Sequence, residues 1–222
     1  MLTEAQRDQW EEEGYLVVAG AYAGDDLRRL RTAFDRCAAE AKPGWLEGVA
    51  AATQPGGFFD IPRPLEKDDA FRGLARHPGY FGLLVGLLGE DLVFKGAQVR
   101  TLPPSPVSYV GWHPDTPFDQ PQQVKVQIYV DDVAADGGPF AFVPGSHKPG
   151  SGPCELTGGL ETMPGHKVFP GPAGTAILFN TYGWHTSMIN RTDRPRRSII
   201  LAYGVRDAEA ENPHSQSCER GR

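Results

Sequence analysis

Cysteine is scarce in this sequence and poorly placed for cross-linking: of 222 residues only Cys37, Cys154 and Cys218 carry a thiol, an odd set with no CxxC pair. A disulfide framework and zinc-type cysteine spacing are thereby excluded, and a reducing cytoplasm is the expected setting. No apolar run approaches the roughly 18 residues that a membrane span needs. The chain opens directly into an acidic helical pattern without a signal-peptide profile, so no membrane partner is expected. Positive charge is also in deficit. With 22 Lys and Arg against 28 Asp and Glu, the chain lacks the clustered basic surface that nucleic acid requires, residues 191–197 being the one local concentration. No internal repeat is present.

What the chain has in quantity is 27 Gly, 20 Pro and 11 Phe, a composition of short strands and many turns decorated with helices. Its length suffices for one full core, so 1–222 reads as a single domain, with a polar tail from 207 expected to fray. Thr3 and Gln6 make a capping-box pattern for a helix ending near Glu13, Gly14 is its stop, and residues 15–19 follow as a strand. Leu27, Leu30, Ala33, Phe34 and Cys37 recur at helical spacing and predict an amphipathic helix over 24–41 that packs on a sheet. Residues 42–64 lack periodicity and read as a long loop, with a lid and disorder as the two accounts of it. Helical patterns over 70–88 are interrupted at Pro78. Strand patterns then dominate, at 92–102, 107–112, 124–130, 140–143, 175–180, 183–189 and 196–205. Strands bunched after helices and joined by turns predict a mainly-β fold with flanking helices, an antiparallel double sheet of jelly-roll or cupin type.

The chemistry is concentrated in His113-Pro114-Asp115, then His185, then Arg196. Residues two apart on an extended segment share a face, so His113 and Asp115 can grip one ion together. Pro114 lacks an N–H and ends the strand, which puts the pair at the mouth of a sheet. His185 from a distant strand would complete a set of two imidazoles and one carboxylate, which holds divalent iron on one face and leaves the other open to a chelating co-substrate and dioxygen. A hairpin through the turn-like 190–195 segment is expected to bring Arg196 back beside His185. A guanidinium there suits the far end of a dicarboxylate such as 2-oxoglutarate, and Ser198, two residues on, should share its face and add a hydrogen bond. Arg197 should point to the opposite face, and Arg194 lies in the turn.

These residues bring a family with them. The chain resembles the phytanoyl-CoA dioxygenase (PhyH-like) family of iron(II)/2-oxoglutarate-dependent oxygenases. The likeness runs through the opening TEAQRDQWEEEGYLVV, through Asp131-Asp132, Gly137-Gly138-Pro139 and Pro144-Gly145-Ser146-His147, and through the closing GTAILFNTYGWHTSMINRTDRPRRSIILAYG. The resemblance implies a double-stranded β-helix, His113, Asp115 and His185 as iron(II) ligands, Arg196 as the anchor of 2-oxoglutarate, and Gln98 as a further co-substrate contact. It also implies oxidative decarboxylation of 2-oxoglutarate coupled to oxidation of a small molecule, most simply a hydroxylation. Related halogenases carry a small residue where Asp115 stands, which favours an oxygen-derived outcome here. Epoxidation, desaturation and cyclisation share the same residues, and a non-oxygenase cupin-type metalloenzyme is the alternative from another class.

The remaining candidates have plainer readings. His147, in PGSH, reads as a turn residue, and Asp131 and Asp132 as caps closing a strand. Trp112 and Trp184 each precede a ligand histidine, so alternation points them away from the metal, into a layer between sheet and helices. Phe58, Phe59 and Phe118 lie in loops and are the expected substrate wall. A free small molecule, such as a natural-product intermediate, fits this compact chain better than a coenzyme A thioester.

Overall fold

The computed structural model describes residues 2–104, 111–151 and 162–206. Most of the expected strand at 107–112, the thiols of Cys154 and Cys218 and the polar tail from 207 lie outside the described residues. Helix α1 (Glu4–Glu13) opens on Thr3, whose side chain and that of Gln6 exchange capping hydrogen bonds, and it closes on Gly14 in the left-handed conformation, φ 85°. Strand β1 (Tyr15–Val18) leads to α2 (Gly24–Ala50), β2 (Phe59–Asp60), α3 (Pro64–Lys67), α4 (Asp69–Gly73), a 3-10 turn and α5 (Pro78–Leu88). Then come β3 (Leu92–Leu102), β4 (Gln123–Tyr129), β5 (Phe140–Phe142), β6 (Lys167–Phe169), β7 (Ala176–Asn180), β8 (His185–Ser187) and β9 (Arg196–Val205).

Two antiparallel sheets result, a six-stranded one in the order β1-β7-β4-β9-β3-β2 and a three-stranded one in the order β6-β5-β8. Strand alternation divides the larger sheet cleanly. On one face Val124, Val126 and Ile128 of β4 and Ile199, Leu201 and Tyr203 of β9 join Leu30, Phe34, Phe71 and Leu84 of the helices in the main core. On the other face Tyr129, Ile177 and Phe179 meet Phe140 and Phe142 of the small sheet, and this second cluster closes one end of the space between the sheets. Each large side chain fully buried in this way contributes about 1.5–3 kcal/mol of transfer free energy. Among the described residues no helix is long and apolar enough to cross a membrane.

Three expectations are corrected. Helix α2 does not stop at 41 but runs through Pro43 to Ala50. Proline removes one hydrogen bond of a ladder, and here the extension is tied back elsewhere: Trp45 packs on Phe59 at 5.5 Å and its indole N–H donates to the Pro55 carbonyl at 3.0 Å. The loop read over 42–64 therefore begins as helix and carries β2 before it reaches α3. Secondly, β8 and β9 do not form a hairpin. β8 pairs with β5 and β9 with β3 and β4, so the 190–195 turn crosses from one sheet to the other. Asn190 braces that crossing by donating to the Arg194 carbonyl at 2.6 Å. Thirdly, Trp112 turns away from His113, Asp115 and His185 but does not enter the helix layer. It packs with Ala141, Val143 and Met163, with Trp184 and Met188 against them, on the side of the small sheet opposite Phe140 and Phe142.

Phe34 is fully buried between α2 and the large sheet, whereas Leu46 on the helix extension is 51% exposed. Phe34→Ala should cost about 3–5 kcal/mol and Leu46→Ala no more than about 0.5 kcal/mol, read as shifts of the denaturant midpoint at constant slope.

Candidate metal centre

His113 and His185 are brought together by main chain before their side chains are considered. Each donates its backbone N–H to the other's carbonyl at 3.1 Å, an isolated antiparallel bridge. Asp115 is fixed next to it, its N–H donating to the Thr181 carbonyl at 2.9 Å. One ligand atom from each of His113, Asp115 and His185 lies within 4.8 Å of the others, so a single ion can meet all three. Asp115 Oδ2 is 3.1 Å from His185 Nε2, and Asp115 Oδ1 is 3.8 Å from His113 Nε2.

Both imidazoles are oriented by main-chain carbonyls. His113 Nδ1 is 2.8 Å from the Gly111 carbonyl and His185 Nδ1 is 2.9 Å from the Gly183 carbonyl. A carbonyl only accepts, so each Nδ1 carries the proton and each Nε2 keeps a lone pair for an ion. The His185 ring is further held by Phe179, centroids 4.6 Å apart, and by Phe140 at 5.7 Å. Burial and the neighbouring His185 push the His113 imidazole below its ordinary pKa, keeping it neutral and able to coordinate. Burial would raise Asp115, but the groups facing it, the Lys125 ammonium at 2.6 Å among them, outweigh it and hold the carboxyl well below the usual carboxylate range.

The triad opens on a cavity of about 350 Å³ lined by Phe58, Gln98, Arg100, Lys125, Gln127 and Ser187, among others. A larger groove of about 650 Å³ over α2 and α4 carries charges already paired, such as Arg36 with Asp68, and no ligand set, so the smaller cavity is the site. Arg196 is 3% exposed and reaches the cavity through Ser187, to whose hydroxyl its Nη2 donates at 2.9 Å. Its Nε and Nη1 and the Ser198 hydroxyl are buried without a partner. Burial pushes the guanidinium down to about 10, and among the described residues no carboxylate pairs with it. A buried, charged donor left unsatisfied is destabilising by several kcal/mol, a cost that an anion at this point would offset. Arg197 faces the other way, as alternation requires, and is clasped by Asp131 at 2.6 Å through both Nε and Nη2.

Of the expected substrate wall only Phe58 lines the cavity, where the Arg100 guanidinium lies 3.9 Å from its ring centre. Phe59 is corrected to a core role: the next residue of an extended segment, it faces Trp45 and is 5% exposed. Phe118 is 49% exposed, stacks on Tyr182 at 4.9 Å, and does not line the cavity. Lys125, Gln127, Arg100 and Ser187 were not anticipated. Ser187 was within reach of the argument, being two residues beyond His185 on the same strand. Lys125 and Gln127 alternate with valines in VKVQIYV, a pattern that ordinarily signals a solvent face.

Comparison with known proteins gives the family. The model of the phytanoyl-CoA dioxygenase (PhyH) family matches residues 10–198. The chain belongs to that family. Membership makes this PhyH protein an iron(II)- and 2-oxoglutarate-dependent dioxygenase acting on a small molecule, with the double-stranded β-helix fold. It is 26% identical to an L-proline trans-4-hydroxylase of Streptomyces griseoviridis over 87% of this chain and 82% of the relative. It is also 26% identical to the peroxisomal phytanoyl-CoA dioxygenase of Rattus norvegicus over 94% of this chain and 70% of that one. Among solved structures, HygX from Streptomyces hygroscopicus with nickel and 2-oxoglutarate bound superposes with a TM-score of 0.70 at 16% identity, covering 92% of this PhyH chain and 88% of its own.

A methyl added at Gly183 would press into the Phe142 ring. Gly183→Ala should therefore displace the carbonyl that orients His185 and weaken iron(II) binding by roughly 10–100-fold, measured by anaerobic calorimetry.

Proposed function

We propose that His113, Asp115 and His185 hold the iron(II), that Arg196 with Ser187 and Ser198 pairs with the distal carboxylate of 2-oxoglutarate, and that the outcome is hydroxylation of a free small molecule. One observation carries the reading: a buried guanidinium without an anion, bonded to Ser187 two residues from the ligand His185. A two-faced donor of this kind matches a carboxylate through parallel hydrogen bonds. Gln98 lines the cavity, which supports its reading as a co-substrate contact.

Bound together, iron(II), 2-oxoglutarate and dioxygen supply an oxidant by decarboxylation to succinate and carbon dioxide. The chain's own part is placement. His113 and His185 present neutral nitrogens, Asp115 presents a carboxylate, and the carboxylate leaves no room for a halide in its position. Phe140, Phe179, Ile200 and Phe58 form apolar wall that limits water around the reacting groups. A cavity of about 350 Å³ is at the small end of ligand sites and favours a free metabolite over a coenzyme A thioester. Hydroxylase names among the relatives, an L-proline trans-4-hydroxylase and a methylphosphonate hydroxylase, support the outcome. The helices and both sheets pack without an intervening linker in the described residues, in keeping with one domain over 1–222.

Anaerobic titration with iron(II) and then 2-oxoglutarate should develop a weak visible charge-transfer band, and turnover should release succinate. Asp115→Ala is expected to abolish the band. An Asp115→Ala protein with unchanged iron affinity would remove the ligand assignment. Arg196→Ala should raise the 2-oxoglutarate concentration for half-maximal rate by about 10–100-fold while iron binding in its absence stays constant. An unaltered requirement would take Arg196 out of the co-substrate site.

A further inference from the structure

The cavity walls carry more positive charge than the partners assigned above consume. The described lining carries Lys125 and Arg100 against Asp115, and counting also Arg196, which lies behind Ser187, and Asp60, which is paired with Arg100, one positive charge is still in excess. A divalent ion and a dianionic 2-oxoacid cancel each other, so the excess persists when both are bound. The three cations are not equivalent. Arg100 is clasped bidentately by Asp60 at 2.8 and 2.7 Å and lies on the Phe58 ring. Arg196 is the co-substrate's. Lys125 has only Asp115, whose Oδ1 is 2.6 Å from its Nζ and whose negative charge a metal ion must share.

Register gives the place. Along β9, Arg196 lies opposite Leu102, Ser198 opposite Arg100 and Tyr129, Ile200 opposite Gln98 and Gln127, and Ala202 opposite Lys125. Lys125 therefore enters the cavity at the end away from Arg196, beside the metal ligands, where the reacting part of a substrate must come. Its side chain is 19% exposed, so the ammonium is largely dehydrated yet reachable. An ammonium has three N–H donors and can keep Asp115 while meeting a second anion.

We propose that the substrate is a small organic acid and that its anionic group pairs with Lys125 next to the metal ligands. The inference rests on the iron and 2-oxoglutarate reading of the same cavity, and it makes Lys125 a specificity-determining residue for that reaction.

The test uses protein loaded anaerobically with iron(II) and 2-oxoglutarate and scored for its charge-transfer band first, so that a failure to load is the failure of the earlier reading alone. Acid and neutral probes are then titrated in pairs by calorimetry: N-acetyl-L-proline and its amide, benzoate and benzamide, methylphosphonate and its dimethyl ester. At least one acid should bind with its neutral counterpart at least tenfold weaker. That preference should vanish in Lys125→Met and survive in Lys125→Arg. Equal binding within every pair, or no acid bound by protein that shows the band, overturns the substrate class. An acid preference that persists in Lys125→Met overturns the role of Lys125 and hands it to Arg100. If Lys125→Met does not load, the wild-type comparison still decides the class.

Discussion

Two backbone hydrogen bonds, exchanged between His113 and His185, are the constraint on which the site depends. They join residues seventy-two positions apart and belong to the main chain, so they hold whatever the side chains do. Once they are made, the alternation of an extended chain puts both imidazoles on one side and delivers Asp115 to the same point. The carbonyls of Gly111 and Gly183, each two residues before its histidine, then fix the tautomers. The placement of the three side chains is thus a consequence of sheet geometry.

The space between the sheets is unusual for a protein interior because half of it is polar. β4 and β9 send valines, isoleucines and leucines to the helices and lysine, glutamine, arginine and serine inward. The helix layer supplies the apolar burial that the inner face forgoes. Several inner donors lack partners, among them Arg196 Nη1, Gln127 Nε2 and the Ser198 hydroxyl. The stability of the helical side is what lets the inner face remain unsatisfied until ligands arrive.

Much of this was legible in the residues. The capping box at Thr3, the stop at Gly14, the limits of β3 and β9, the opposed faces of Arg196 and Arg197, and the shared face of His113 and Asp115 follow from local rules of period and capping, whereas the meeting of that pair with His185 is long-range. Where reading failed, tertiary contact had overridden a local signal. Pro43 is tolerated in α2 because Trp45 anchors the extension to the 55–59 segment. Phe59 resembles its neighbour Phe58 in sequence but is assigned to the core by the pairing of β2 with β3. Lys125 and Gln127 looked like solvent positions because a polar cavity and open water leave the same alternation in a strand.

That Arg196 and Arg197 are adjacent yet serve opposite sides of one strand has a consequence for how such a protein can vary. A one-residue slip of β9 against β3 and β4 would exchange the two guanidiniums, withdrawing one from the cavity side and unfastening the other from Asp131. The pairing of β9 with a strand on each side guards against that slip, so a change of length is taken up in the crossing between β8 and β9 while the parity of the strand is kept.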